Sequence, residues 1–435
     1  MSISFYRASA AALCLSLVLV AAPAMAVTQI PQPLTLGEAL AWARKYNPTV
    51  RAAQIRIERL TGRAIHADVA VPSNPRVELE AGQRSNRRED TTDIGVRLSQ
   101  ELWIAGQSGL REAAAQGELG AARADYLFLQ ASTQARVRAA FLSVLVAERA
   151  VDTARQVVDA NQKLAAYANK RLNAGAGTQL EANAARIGQS RAQALLAGAR
   201  NRARQAGLAL NDLLAIDPRR RLAVDGQLTF APLDLPRESQ LLSRAVARRT
   251  DLEAAGQRVL ASRKRLSLAN RQIIPNLTVF GFYRQEADGR SGGGDDIVGG
   301  GVGFDLPVLH RYAGERKSAN AELNQALLDQ DNLQRDVRLQ VISGIAGYES
   351  ASQQVAALND VVLNAAQQTL ELTRRSFAAG QVAVSAITTA QNNLIAVRQD
   401  YLDALRSLIS AGTDLERATG GLVVMQAANT ATESN

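Results

Sequence analysis

Two stretches, RLNAGAGTQLEANAAR (Arg171–Arg186) and RSFAAGQVAVSAITTAQ (Arg375–Gln391), share one pattern. Each opens on an arginine, has a bulky apolar residue three positions before a glycine, and continues as an Ala-rich polar run with helical spacing. A glycine between two helical runs ends the first, because the residue after a helix commonly turns left-handed. Gly175 and Gly380 stand close to half the chain apart, so the sequence carries the same helix-turn-helix corner twice.

The duplication extends outward from the corners. NPTVRAAQ from Asn47 has a counterpart in RTDLEAAGQ from Arg249; Pro75 before RVELEAG matches Pro275 before NLTVFGF; IAGQ ending at Gln107 matches YAGE ending at Glu315. Each half reads helix, strand, strand, helix, corner, helix. The expected organisation is a leader over 1–26, a first repeat over 27–230, a second over 231–421 and a tail over 422–435.

The strand segments alternate with period two, which gives each strand one apolar and one polar or small face. Val77, Leu79 and Ala81 oppose Arg76, Glu78 and Glu80, and in DIGVRLSQ the residues Ile94, Val96 and Leu98 oppose Asp93, Gly95, Arg97 and Ser99. In the second half Leu277 and Val279 oppose Asn276 and Thr278, and Val298, Val302, Phe304 and Leu306 alternate with Gly299, Gly301, Gly303 and Asp305. The polar connections RSNRREDT and RQEADGRSGGGDD read as hairpin loops. The helical segments are long and free of proline. From Gln107 to Leu172, apolar residues recur every three or four positions (Val137, Ala140, Val144, Ala147, Val151, Ala154, Val158), a stripe that must be buried against neighbouring helices. The stretch from Arg311 past Leu415 is expected to be interrupted only at Gly380.

Composition narrows the functional classes. MSISFYRASAAALCLSLVLVAAPAMA (Met1–Ala26) has a basic residue, a short apolar run and small residues at its end, which reads as a secretory signal peptide cleaved after Ala26. No later segment supplies the ~20 apolar residues of a membrane-spanning helix. The single cysteine, Cys14, lies inside the leader, and Ala11-Ala12-Leu13 before it is a poor lipidation box, so the exported chain is expected to be unlipidated and free of disulfides. Aromatic residues are 4% of the chain, a composition suited to long helices. The net charge of +9 comes from arginines scattered among acids, which does not point to nucleic acid. His66 and His310 lack a second ligand at metal-binding spacing, and no Gly-rich phosphate loop ends in Lys. We therefore expect no enzyme, no cofactor and no resident metal.

Four strands cannot close a barrel, and an open sheet in lipid leaves backbone groups unpaired, so strands in a membrane require oligomerisation; three copies would supply twelve. At this point the signal peptide, the duplicated unit, the opening LTLGEALAWARKYNPTVRAA and the paired corners together resemble the TolC-like outer-membrane efflux channels, over about residues 34–420. PSNPRVELE, QELWIAGQ and LPVLHRYAGERKSANAEL resemble the outer-membrane component of the cobalt/zinc/cadmium type of tripartite exporters.

The resemblance implies a mainly α fold with a membrane β-barrel. A homotrimer would build a twelve-stranded barrel in outer-membrane lipid and a coiled-coil-like α-helical tunnel in the periplasm. An inner-membrane RND pump would drive transport, and a periplasmic adaptor would dock on the corners. The docking residues it implies are Arg171, Leu172, Gly175 and Thr178 in the first corner and Arg375, Phe377, Gly380 and Val382 in the second. Family members with a closed entrance place acids six and nine positions after the second glycine, where this chain has Ala386 and Thr389; Glu181 holds the matching place in the first corner. An entrance held by apolar packing of Phe377, Val382 and Ile387 is expected instead. Glu78, Glu80, Asp93 and Arg97 are expected to face the barrel lumen. The function implied is passive export of divalent heavy-metal cations. Export of small organic toxicants is the alternative within the family, and a structural periplasmic coiled-coil or adaptor protein is the alternative outside it.

Overall fold

The longest element is the helix α3, Gln107–Asn173, whose 67 residues extend ~100 Å at ~1.5 Å per residue. The computed structural model describes residues 30–86, 89–228, 234–287, 294–358 and 360–421, and Gln32–Asn435 forms one unit apart from Met1–Pro31. The expected leader over 1–26 and tail over 422–435 lie outside the described residues.

Two matching runs of elements carry the duplication. The first is α1 (Leu36–Tyr46), α2 (Pro48–Ala67), β1 (Arg76–Asn86), β2 (Glu89–Leu102), α3 and α4 (Gln179–Leu214). The second is α5 (Glu238–Arg248), α6 (Thr250–Arg271), β3 (Leu277–Ala287), β4 (Gly294–Gly303), α7 (Ala313–Ala357), α8 (Asp360–Ala378) and α9 (Val384–Ala418). Asn47 separates α1 from α2: its Oδ1 accepts the Thr49 and Val50 N–H groups, while its buried Nδ2 donates to the Leu213 carbonyl over 2.8 Å. Pro48 follows at the first helical position, where its missing N–H costs nothing. The second half makes the same joint with Arg249, 5% exposed, whose guanidinium bonds the Asp251 carboxylate and Gln340.

Alanine and glycine at the contacts let the helices approach closely. Leu60 and Ala64 of α2 pack on Leu119 and Ala122 of α3, and Ala121 and Ala124 pack on Ala254 of α6. A Cβ on Gly117 would come within 3.0 Å of the Ala261 Cβ, so a larger residue there would push α3 and α6 apart. Farther along α3, Val151, Ala154, Val157 and Val158 meet Ala192 and Ala199 of α4. The stripe read from the sequence is thus the buried one, with Val137 fully buried and Ala140 half-buried.

Three expectations need correction. The second long helix breaks after Ala357, with Leu358 as its C-cap, and resumes at Asp360. The sequence there, Leu358-Asn359-Asp360, ends on two residue types, Asn and Asp, that favour helix ends over helix interiors. The strands run farther into the expected loops, to Asn86 and from Glu89, and to Ala287 and from Gly294, while β4 ends at Gly303 and leaves Phe304 and Leu306 outside it. Residues 87–88 and 288–293, the rest of those loops, lie outside the described residues. The match of IAGQ with YAGE is also shifted: the left-handed residues before α3 and α7 are Gly106 and Tyr312, not Gly106 and Gly314.

The four strands form one antiparallel sheet in the order β1-β2-β3-β4. Register places Val77 opposite Leu98, Leu79 opposite Val96, Val96 opposite Tyr283 and Tyr283 opposite Val298, so one face is a continuous apolar surface. Among the described residues nothing covers this face: Leu79 is 77% exposed and Val298 79%.

Candidate functional site

The two corners close by the same backbone rule. At the first, the Ala176 N–H donates to the Arg171 carbonyl over 2.9 Å and the Gly175 N–H to the Leu172 carbonyl over 3.0 Å, with Gly175 at φ +70°. At the second, the Gln381 N–H donates to the Ser376 carbonyl and the Gly380 N–H to the Phe377 carbonyl, both over 2.9 Å, with Gly380 at φ +74°. This bond pair satisfies carbonyls that a helix end leaves open, and its left-handed residue favours glycine. The geometry makes Arg171 the counterpart of Ser376, Leu172 of Phe377, and Thr178 of Ala383. Arg375 and Val382 are therefore each one residue away from the places that a parallel reading of the corners gives them. Arg375 points to solvent, its Nε 3.5 Å from the Glu371 carboxylate one turn back.

After the glycines the corners diverge. Thr178 caps α4: its hydroxyl accepts the Glu181 N–H over 3.2 Å, and the Glu181 carboxylate accepts the Thr178 N–H over 3.3 Å. Ala383, in the same place before α9, has no side chain with which to cap. Burial replaces the cap, since Val384 is 1% exposed and Ile387 4%. Both belong to a cluster with Leu164 and Ala168 of α3, Ala185 of α4, Leu370 of α8, and Ala390 and Leu394 of α9, against which Phe377 packs.

One aromatic side chain joins the corners. The Phe377 ring meets Tyr167 edge-on at 5.5 Å between centroids, and the Arg171 guanidinium lies over it at 5.6 Å. Arg171 also donates to the Ala176 carbonyl over 2.7 Å, so it holds its own turn and the partner helix together. Of the expected entrance trio, Phe377 and Ile387 are brought together and Val382 is not; it is half-buried outside the cluster, and Val384 fills the space. Ala386 is half-buried and Thr389 exposed. Leu172 is half-buried beside Arg171.

The residues expected to face the lumen share the polar face of the sheet. Glu78 stands opposite Arg97, and Arg97 lies 4.7 Å over the Phe280 ring. Arg84 bridges Asp93 at 2.7 Å and Glu286 at 3.1 Å, while Arg284 lies 3.6 Å from Glu80. Sequence reading missed Arg84, Arg284 and Glu286 because they lie in segments assigned to loops. It also missed Phe280 and Phe282, whose rings cover Gly301 and Gly299, where any Cβ would sit within 3.0 Å of ring carbon. That contact explains the glycines at 299 and 301 of β4. The histidines stand apart, with His66 in the last turn of α2 and His310 Nε2 3.1 Å from Glu315.

The profile described as "Outer membrane efflux protein" matches residues 39–215 and 241–421. The chain is 27% identical to the cobalt-zinc-cadmium resistance protein CzcC of Cupriavidus metallidurans over 89% of its length and 90% of that protein. It is 26% identical to the outer membrane efflux protein BepC of Brucella suis, over 77% of its length and 74% of that protein. Among solved structures, the Campylobacter jejuni CmeC outer membrane channel superposes with a TM-score of 0.77 at 15% identity, covering 89% of this chain and 85% of that one. CusC superposes at 0.73 with 18% identity, covering 89% and 92%. The fold is that of a TolC-like channel, and the chain belongs to the outer membrane efflux protein family.

Proposed function

We propose that this outer-membrane efflux protein works as a homotrimer, three sheets closing a twelve-stranded barrel in outer-membrane lipid above a periplasmic α-helical tunnel. The observation that carries this reading is the four-stranded sheet, whose uncovered apolar face suits lipid and whose outer strands each lack a partner on one side among the described residues. The opposite face, with Glu78, Glu80, Asp93 and Arg97, then lines the lumen. The two repeats, 27–230 and 231–421, present two corners per subunit. Arg171, Leu172, Gly175 and Thr178, with Arg375, Phe377, Gly380 and Val382, are the surface on which a periplasmic adaptor docks. An inner-membrane RND pump supplies the energy. Glu181, Ala386, Ile387 and Thr389 flank the periplasmic entrance, and the packing of Phe377, Val384 and Ile387 holds it closed.

The cargo we propose is a divalent heavy-metal cation, supported by the similarity to CzcC along most of both chains. The similarity to BepC, a relative named for efflux alone, keeps organic toxicants as the second reading. Growth of a deletion strain, with and without the restored gene, on graded zinc, cobalt, cadmium and lipophilic drugs separates them. Metal sensitivity alone supports the first reading, and drug sensitivity alone replaces it with the second. Heat-modifiable trimers extracted from outer membranes are expected; a soluble periplasmic protein would overturn the channel reading.

A further inference from the structure

Charge repeats along the helices that flank the strands as regularly as the corners do. On α2, Ala52, Ala53, Arg56 and Arg63 match Ala254, Ala255, Arg258 and Arg265 of α6. On α3, Glu118, Leu119, Ala122 and Asp125 match Glu322, Leu323, Ala326 and Asp329 of α7. Each helix thus carries two like charges one heptad apart, which places both on one face. The helices pack side by side in the order α2, α3, α6, α7, and apart from Asp125 these charged residues line one groove. The signs therefore alternate across it, basic on α2 and α6, acidic on α3 and α7.

The chain itself shows how two repeats join. Where α3 of the first repeat meets α6 of the second, Asp125 pairs with Arg258 and Glu118 with Arg265. Asp125 also lies 3.9 Å from Arg56 of its own repeat, so one carboxylate serves the arginines on either side. The counterparts at the outer edges have no such neighbour. Among the described residues, no cation lies within 4.0 Å of the Glu322 or Asp329 carboxylate, and no carboxylate within 4.0 Å of the Arg63 guanidinium. Apolar side chains are open on the same two helices: Ile55 of α2 is 61% exposed and Leu328 of α7 52%. Ala124, the α3 counterpart of Leu328, is by contrast buried against Ala254.

We propose that α7 of one copy packs against α2 of the next as α3 packs against α6 within the chain, pairing Asp329 with the next copy's Arg56 and Glu322 with its Arg63. The inference rests on the trimer proposed above and adds the residues that join its subunits. A ring of copies joined head to tail repeats one contact, and here that contact reproduces the junction between the repeats. Two levels of charge then alternate in sign around the whole tunnel. The junction between copies is the wider one, because Arg59 and Gln325 stand where the junction within the chain has Ala261 and Ala121.

The test is cross-linking in outer membranes, with the full-length chain carrying two introduced cysteines and a short bis-methanethiosulfonate linker. The parent, whose single cysteine is Cys14, is the background control. The matched pairs, Glu322→Cys with Arg63→Cys and Asp329→Cys with Arg56→Cys, should give linked dimers and trimers on denaturing gels. The mismatched pairs, Glu322→Cys with Arg56→Cys and Asp329→Cys with Arg63→Cys, are displaced by about 10 Å along the helix and should link at least about tenfold more slowly. Glu322→Lys should lower the temperature at which the trimer dissociates, and adding Arg63→Glu should recover most of that loss, which charges without a partner would not do. Light scattering of the detergent-extracted parent reads its assembly independently. Trimers that do not cross-link, matched and mismatched pairs that link equally fast, or a loss that the charge swap does not recover would each overturn the proposal and leave the trimer standing. A parent that is not trimeric would overturn both.

Discussion

The two corners have the same backbone but are held by different forces. At Gly175 the turn is stabilised from within: Thr178 and Glu181 satisfy each other's N–H groups, and Arg171 reaches back to the Ala176 carbonyl. At Gly380 neither device exists, and the helix that follows is fixed by inserting Val384 and Ile387 into a core shared with α3 and α8. A locally capped turn depends less on its neighbours. A turn fixed by tertiary packing stays folded only while that packing lasts. The second corner is thus the one whose fold depends on α8 and α9 staying packed against α3.

Ile387→Ala should break the comparison most severely. Emptying a buried isoleucine site costs about 2–5 kcal/mol, and the loss should fall on the second corner, since the matching position in the first is already alanine, Ala182. Hydrogen exchange of the amides of α9 should accelerate while those at the start of α4 keep their protection. Equal acceleration in both corners would show that they unfold as one body.

Gly175→Ala and Gly380→Ala come next. Left-handed alanine costs roughly 1–2 kcal/mol, and nothing lies within 4 Å of a Cβ built at either glycine, so the penalty is conformational in both. Near-equal losses in chemical denaturation are expected. A clear excess at Gly380 would mean that tertiary packing amplifies the strain there. Thr178→Ala should follow at about 1 kcal/mol, the usual loss of a threonine cap, read as faster exchange confined to the first turn of α4.

The corners also show where sequence reading stops. The glycines, the bulky residues before them and the stripe along α3 were legible because backbone geometry and helical period act over a few residues. The correspondence of Arg171 with Ser376 was not, because an arginine one position away invited a match by residue type, whereas the carbonyl of residue 376 makes the bond whatever its side chain. Strand alternation exposed both faces of β1 and β2, yet the glycines of β4 gave no hint that Phe280 and Phe282 lie across them, a contact between strands. The break at Leu358 was visible only as Asn359-Asp360, a signal too weak to outvote a long proline-free run. The uncovered apolar sheet face and the family membership place the strands in a membrane; no single strand does so alone.

The smallest expected effect is also the most discriminating. Ala383 has φ −79° and ψ 161°, the extended geometry that Thr178 uses at φ −104° and ψ 154°, and its side chain is exposed. Ala383→Thr with Ala386→Glu would therefore rebuild the reciprocal cap of the first corner on the second without disturbing the backbone. The gain should be about 0.5–1 kcal/mol, below that of a typical cap, because burial of Val384 and Ile387 already restrains the turn. It should grow when the doubly substituted corner is combined with Ile387→Ala, since a cap matters most where packing has been removed. If the gain were the same in both backgrounds, local capping and tertiary packing would be independent, and the second corner would have no energetic reason to respond to its neighbours.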